Sequence, residues 1–409
     1  METRSGPASI LSFKKTGVIV GNTVRKIKEV ILRKMLLKAV FAWYRRRPIR
    51  EDLVLFAYDR DGFTDNMQAV RDELEKRGSY AFVNLTGSTI HSSVFRKVRR
   101  MMEFTRYYAQ AKYVVVADYY MPLYANTKRP ETVVVQVWHA CGAFKKFGYS
   151  ILDNPNFGID APIAQKYPFH TNYSLVPVSS QEVVAKYVEA FHMEDRKEAV
   201  QPLGVPRTDV FFDPDFLRRS AERFYTHMPQ ARGKKVLLYA PTFRGRVKEA
   251  HVENQLDLVS LYEALHEKYV LVLKYHPFMA DTLDIPEEYR DFAIDLSRKM
   301  DISQLLSVAD MCISDYSSLV FEYALFEKPM IFYAYDVEDY LDERGFYYPY
   351  EEFIPGPLVR TNEQLIRAIL HMEEDFDRQK VHQFREKFMS ACDGHSTSRI
   401  VDAMLQCGE

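Results

Sequence analysis

The chain has 409 residues, is 47% hydrophobic and 14% aromatic, and sets 55 Lys/Arg against 56 Asp/Glu. That length suits two domains better than one. The apolar content excludes a disordered chain, ordinary Gly and Pro counts exclude a collagen-like polymer, and a net charge of −1 excludes a generic nucleic-acid binder. Cys141, Cys312, Cys392 and Cys407 form no C-x-x-C pair and stand at no zinc spacing, so a reducing cytoplasm fits and a disulfide scaffold does not.

The charge is uneven. Residues 1–50 hold 13 Lys/Arg against Glu2 and Glu29, a net +11, which leaves −12 for the remainder. Thr23–Tyr44 reads as a helix without Gly or Pro, with Val24, Ile27, Ile31 and Met35 on one side and Arg25, Lys26, Glu29 and Arg33 on the other. Its second half is apolar nearly all round except Lys38, and Arg45-Arg46-Arg47 follow. Such a segment either lies in the headgroup region of an anionic membrane or docks on the protein's own core. The membrane surface is the expectation for residues 1–50. No secretory leader and no stretch of about 18 apolar residues stands out, so no transmembrane helix is expected.

Beyond residue 50 the pattern alternates. Leu53–Ala57 is an apolar strand, Tyr58–Asn66 a loop, Met67–Lys76 a polar helix closed by Arg77-Gly78, and Tyr80–Val83 a strand. Tyr113–Ala117 and Thr132–Val137 are β-branched runs of the buried type, followed by Leu175–Val178 and a helix opening at Ser179–Glu182. Leu203–Arg207 reads as a junction, Phe216–Tyr225 as a helix and Arg232-Gly233 as a turn. The alternation then restarts with strand Val236–Ala240, helix Val259–Leu265, strand Val270–Lys274, strand Met311–Ile313, helix Leu319–Phe326 and strand Met330–Tyr333. Two Rossmann-like α/β halves facing a cleft are expected, over 51–205 and 206–392, with a terminal helix in 393–409. There is no G-x-G-x-x-G and no G-x-x-x-x-G-K-[ST], so dinucleotide oxidoreductase and P-loop kinase readings lose their support.

Ligands in open α/β sheets bind beyond the carboxyl ends of strands. Two histidines stand there: His139 after Thr132–Val137, and His276 after Val270–Lys274. A histidine near neutral pH can take a hydroxyl proton or donate to a phosphate oxygen. Lys145 and Lys146 add positive charge beside His139, and Gly142 and Gly148 allow close backbone approach. Ser314, Asp315, Ser317 and Ser318 precede a helix, where capping or anion binding is expected. Arg244 follows a strand and offers a fork to a phosphate. Arg344 and Gly345 lie late in the second half near Asp336, Glu338 and Asp339, acids that either bind hydroxyls or are solvated.

In FTDN (Phe63–Asn66), WHACGAFKKFG (Trp138–Gly148), GVPRTD (Gly204–Asp209), YAPTFR (Tyr239–Arg244), YHP (Tyr275–Pro277), SDYSS (Ser314–Ser318), Glu327–Tyr348, Gly356-Pro357 and Asp393-Gly394 the sequence resembles the CDP-glycerol glycerophosphotransferase family. That family holds the wall teichoic acid primases and polymerases, including ribitol-phosphate transferases. The pieces run in family order over about residues 54–400.

The resemblance implies a GT-B fold and a CDP-activated polyol phosphate, from CDP-glycerol or CDP-ribitol, as donor. It implies a polyprenyl-diphosphate-linked acceptor at the cytoplasmic membrane face. It makes His139 the base for the acceptor hydroxyl and has His276, Ser317 and Ser318 hold the donor pyrophosphate. Arg244, Ser314, Asp315, Arg344 and Gly345 fall on the donor side, and Lys145, Lys146, Asp65 and Asn66 on the acceptor side. No cofactor or metal is expected. Ala140-Cys141-Gly142-Ala143 after the motif histidine departs from the pattern of many polymerases and stands closer to the primase or ribitol-phosphate type. A nucleotide-sugar glycosyltransferase and a non-catalytic scaffold are the competing readings.

Overall fold

The structure is a computed structural model that describes residues 35–88, 92–154, 159–242, 244, 256–276, 279, 283–338, 340 and 345–408. Residues 23–34 of the basic helical segment lie outside them. The described part forms α1 (Leu37–Tyr44). Leu37 and Phe41, one turn apart, are buried, and the Phe41 ring meets Tyr108 at 5.5 Å, whereas Met35 and Trp43 are over 60% exposed. One face of this helix therefore docks on the protein and another faces outward. Among the described residues no helix is long and apolar enough to cross a membrane.

The first sheet has the order β2-β1-β3-β4, all parallel, from β1 (Arg50–Tyr58), β2 (Ala81–Thr86), β3 (Ala111–Val116) and β4 (Val133–Gln136). Val54, Leu55, Phe56 and Val114–Val116 are wholly buried, because helices cover both faces. These helices include α2 (Asp65–Arg77) and α3 (Val94–Tyr108), whose N-caps Thr64 and Ser93 accept from the Met67 and Arg96 N–H groups. A short pair, β5 (Val176–Pro177) and β6 (Val200–Gln201), extends the sheet through a Val135–Leu175 bridge. Helix α4 (Gln181–Phe191) lies between them in the chain.

After α5 (Pro214–His227) the second sheet runs β12-β11-β10-β7-β8-β9, again parallel. Its strands are β7 (Lys235–Tyr239), β8 (Tyr269–Leu273), β9 (Ala293–Asp295), β10 (Met311–Ser314), β11 (Met330–Tyr333) and β12 (Leu358–Val359). The connecting helices are α6 (Leu258–Leu265), α7 (Ile302–Val308) and α8 (Leu319–Ala324). Strand order reverses between β1 and β3 in the first sheet and between β7 and β10 in the second. Such reversals open the crevices where ligands bind.

Helices α9 (Asn362–Asp375), α10 (Arg378–Met389) and α11 (Ser396–Gln406) end the chain. The last two return to the first half. The Ser179 and Ser180 hydroxyls at the start of α4 donate to the Phe388 and Lys387 carbonyls of α10. Ile400, Val401 and Met404 of α11 join the core beneath β1 and β3.

Candidate active site

His139 owes its place to a strained turn. The chain leaves β4 through Trp138, whose φ of 49° is left-handed and costly for so large a residue. Two buried amides hold it there. Gln136 Oε1 accepts from the Trp138 N–H at 3.0 Å, and Asn66 Nδ2 donates to the Trp138 and Val137 carbonyls at 3.0 and 3.2 Å. Arg207 adds a third hold: its Nη1 donates to the His139 carbonyl at 2.8 Å while Nε and Nη2 grip both oxygens of Glu322. Glu322 belongs to α8, so the second half helps to fix the loop of the first.

The His139 ring turns Nδ1 inward, 3.3 Å from the Ala117 carbonyl. A carbonyl can only accept, so Nδ1 carries the proton and Nε2 keeps its lone pair. The side chain is 41% exposed at its open edge, with protein around the rest. That desolvation lowers its pKa below the ordinary histidine value, against the opposing pull of Asp118. Near neutral pH the ring is a neutral base.

A cavity of about 450 Å³ lies between the two sheets, and His139, Lys145, Lys146, Thr242, His276, Ser317 and Ser318 line it. Burial first, then the charges of Arg60 and Lys145, lower His276 to about 4, so it too is neutral at pH 7 and offers an N–H rather than a full charge. Lys145 Nζ donates to the Tyr340 hydroxyl at 2.9 Å. Ser317 Oγ is 3.4 Å from the Leu319 N–H, and Ser318 makes no capping bond with its side chain. These two hydroxyls face the cavity at the β7/β10 reversal. Among the described residues no group of three or more His, Cys, Asp or Glu is placed to hold a metal ion.

The structure thus brings together His139, His276, Lys145, Lys146, Ser317 and Ser318, and places the other expected residues that it describes outside this cavity lining. Arg244 is buried, with Nε and Nη2 on Asp336 and Nη1 on Asp315. Its charge is already matched. Asp315 is buried beneath the cavity, where Oδ1 takes the Thr242 hydroxyl at 2.7 Å and its Oδ2 takes Arg244. Ser314 is buried and donates to the Ala240 carbonyl at 2.7 Å, tying β10 to the end of β7. Asn66 is the backbone brace described above and is wholly buried. Asp65 is exposed on the first turn of α2, outside the cavity lining. The Gly345 carbonyl accepts from the Lys146 N–H at 3.1 Å, a contact between halves. Arg344 lies outside the described residues.

Residues 39–406 match the family described as CDP-Glycerol:Poly(glycerophosphate) glycerophosphotransferase. The chain belongs to this family. It is 39% identical to a teichoic acid ribitol-phosphate primase of Bacillus spizizenii, over 87% of this chain and 91% of the primase. It is also 39% identical to a teichoic acid poly(ribitol-phosphate) polymerase of the same organism, over 88% of this chain but 57% of the polymerase. The wall teichoic acid polymerase TagF shares the fold, with a TM-score of 0.72 at 24% identity over 98% of each chain. The architecture is of GT-B type, as the family resemblance implied. The activity is that of the family: transfer of a polyol phosphate from a CDP-activated donor in teichoic acid synthesis.

Within this glycerophosphotransferase frame, reading the sequence missed three residues that shape the site. Asp118 follows β3 and stands beside His139. Arg60 follows β1 and meets Asp118. Arg207, inside a motif already noted, had no assigned role. The strand-end rule that found His139 also points at Arg60 and Asp118.

Proposed function

We propose that this member of the family transfers one ribitol phosphate from CDP-ribitol to a lipid-linked teichoic acid precursor. The observation that carries the reading is the meeting of two neutral histidines, Lys145 and two serine hydroxyls on one cavity between the halves. Ribitol is preferred to glycerol because both relatives at 39% identity are ribitol-phosphate enzymes. The single-unit reading follows the match along nearly the whole primase.

In this reading His139 Nε2 takes the proton of the acceptor hydroxyl, whose oxygen bonds to the β-phosphorus. The bond from that phosphorus to the bridging oxygen breaks, and CMP leaves with the electron pair. His276, Lys145, Ser317 and Ser318 donate to phosphate oxygens, where charge develops. The acceptor enters from the first half, at the cytoplasmic face of the membrane, with the basic segment before α1 and the outward-facing Met35 and Trp43 against anionic lipid. No cofactor beyond the donor is required.

A donor screen tests this. Purified protein is mixed with CDP-ribitol, CDP-glycerol or nucleotide sugars and a synthetic lipid-linked disaccharide, with and without one glycerol phosphate, in the presence or absence of EDTA. CMP release with a gain of one ribitol phosphate is expected. A gain of sugar overturns the reading in favour of a glycosyltransferase, and lipid binding without product favours a scaffold. His139→Ala and His276→Ala are each expected to lower turnover about 100-fold or more.

A further inference from the structure

The reversal of strand order in the first sheet brings two charged residues together. Arg60 stands two residues beyond β1 and Asp118 two residues beyond β3. Arg60 Nη2 lies 3.3 Å from Asp118 Oδ2. The same Oδ2 lies 3.8 Å from His139 Nδ1, a separation for charge–charge attraction rather than a hydrogen bond. The inner edge of the ring therefore faces the Ala117 carbonyl and a carboxylate, and its outer edge the cavity.

Asp118 is held firmly. Its Oδ1 accepts from the Tyr119 N–H at 2.7 Å, and its backbone carbonyl accepts from Gln136 Nε2 at 3.1 Å. The other end of that amide, Oε1, accepts from the Trp138 N–H. One buried side chain thus ties the carrier of the carboxylate to the residue before the imidazole. The Asp118 side chain is 23% exposed and Arg60 52%, and the Arg60 guanidinium lies over the Tyr58 ring at 5.9 Å.

We propose that Asp118 is the positioning residue for proton transfer at His139, and that Arg60 limits its strength by sharing the same carboxylate oxygen. This rests on His139 being the base. When Nε2 takes the acceptor proton the ring becomes a cation, and its charge arises beside Asp118, which stays ionised and receives no proton. The other titratable groups around the ring are Arg207, matched by Glu322, and Lys145, Lys146 and His276 on the same cavity. Burial lowers the affinity of the ring for a proton, Asp118 and the Ala117 hydrogen bond raise it, and Arg60 and Arg207 lower it again. Removing Asp118 and removing Arg60 must therefore act in opposite directions.

The test uses the full chain carrying Asp118→Asn, Arg60→Gln or His139→Gln. The His139 imidazole is titrated by NMR, its signal assigned from its loss in His139→Gln, and kcat is followed against pH. Asp118→Asn is expected to lower the imidazole pKa and to cut kcat about 10- to 100-fold with donor KM little changed, a share of what a positioned base supplies. Arg60→Gln is expected to raise the imidazole pKa and move the acid limb of the profile upward. Asp118→Asn with wild-type kcat and an unshifted imidazole, while His139→Gln is inactive, overturns the proposal. Should His139→Gln keep full turnover, the base assignment fails instead. The NMR shifts need no turnover and still decide whether the pair acts on the ring. Arg60 is half-exposed, so Arg60→Gln keeps the test decisive if Asp118→Asn does not fold.

Discussion

Arg244 shows why a residue's type and place in a loop do not give its role. Its guanidinium is clamped by Asp315 and Asp336, 71 and 92 residues away, and lies 5.0–5.4 Å from the ring centres of Tyr316, Tyr335 and Tyr340. Arg244→Ala leaves two carboxylates beneath the cavity without their counter-charge, and breaking a buried pair in this way costs about 3–5 kcal/mol. The urea midpoint should fall accordingly, and a loss below about 1 kcal/mol would show that Arg244 is not structural. The meeting of His139 and His276 on one cavity was legible because strand ends open crevices by topology. Arg244 and Asn66 were not, because their partners are distant in sequence and no local pattern reveals them. Two imidazoles depressed by burial, His276 and His170, also set a pH window. His276 sits at about 4 and the buried His170 at about 3, both below the ordinary 6.5 through burial. The unfolded chain then binds these protons first as the pH drops, so the stability these two histidines contribute is present above about pH 6.5 and is lost as the pH falls through about 4 and 3. His276→Gln should flatten part of that decline in thermal melts across pH, and an unchanged slope would place the proton uptake elsewhere.

Among the elements, the buried strands were the most legible. Runs such as Val114–Val116 and Val270–Leu273 are apolar on both faces, and only a covered parallel strand needs that. Helices α3, α7, α9 and α10 were missed. Helix α3 is amphipathic, buries Phe104, Thr105 and Tyr108 and is capped by Ser93, so its signal stood in the sequence and went unread. The motif pieces away from the cavity prove to be joints. Asp209 of GVPRTD accepts the Ser396 and Thr397 N–H groups at 2.9 and 2.7 Å and so caps α11 from 187 residues away. Gly204, with φ of 95°, packs so tightly on Ser396 and Ala391 that a Cβ has no room. Asp209→Ala should cost about 1 kcal/mol, the usual value of an N-cap. Hydrogen exchange should rise across residues 396–406 first. Uniform exchange with no change in α11 would mean that the helix is held by Ile400, Val401 and Met404 alone.

At the scale of the molecule, the two halves meet through a clasp beside the cavity. The Phe144 carbonyl accepts from the Tyr347 N–H at 2.9 Å, the Lys146 N–H donates to Gly345, and the Phe144 ring stacks on Phe353 at 4.3 Å and tilts against Phe346 at 4.4 Å. Below it, Gly142 has a φ of 61° and lies directly against the Phe321 ring of α8, where no side chain fits. The loop that carries His139 and Lys145 is therefore seated on the half that carries Ser317 and Ser318. The distance between base and phosphate donors depends on that seat, and a misplacement of about 1 Å can cost roughly 100-fold in rate. Phe144→Ala removes the central ring of the clasp and should cost about 3–5 kcal/mol. It should also widen the cleft, raise the radius of gyration in small-angle scattering and lower kcat by about 10-fold or more. An equal loss of stability with unchanged scattering and unchanged kcat would mean that the hydrogen bonds at Gly345 and Tyr347 hold the halves in register, with Phe144 as core filling only.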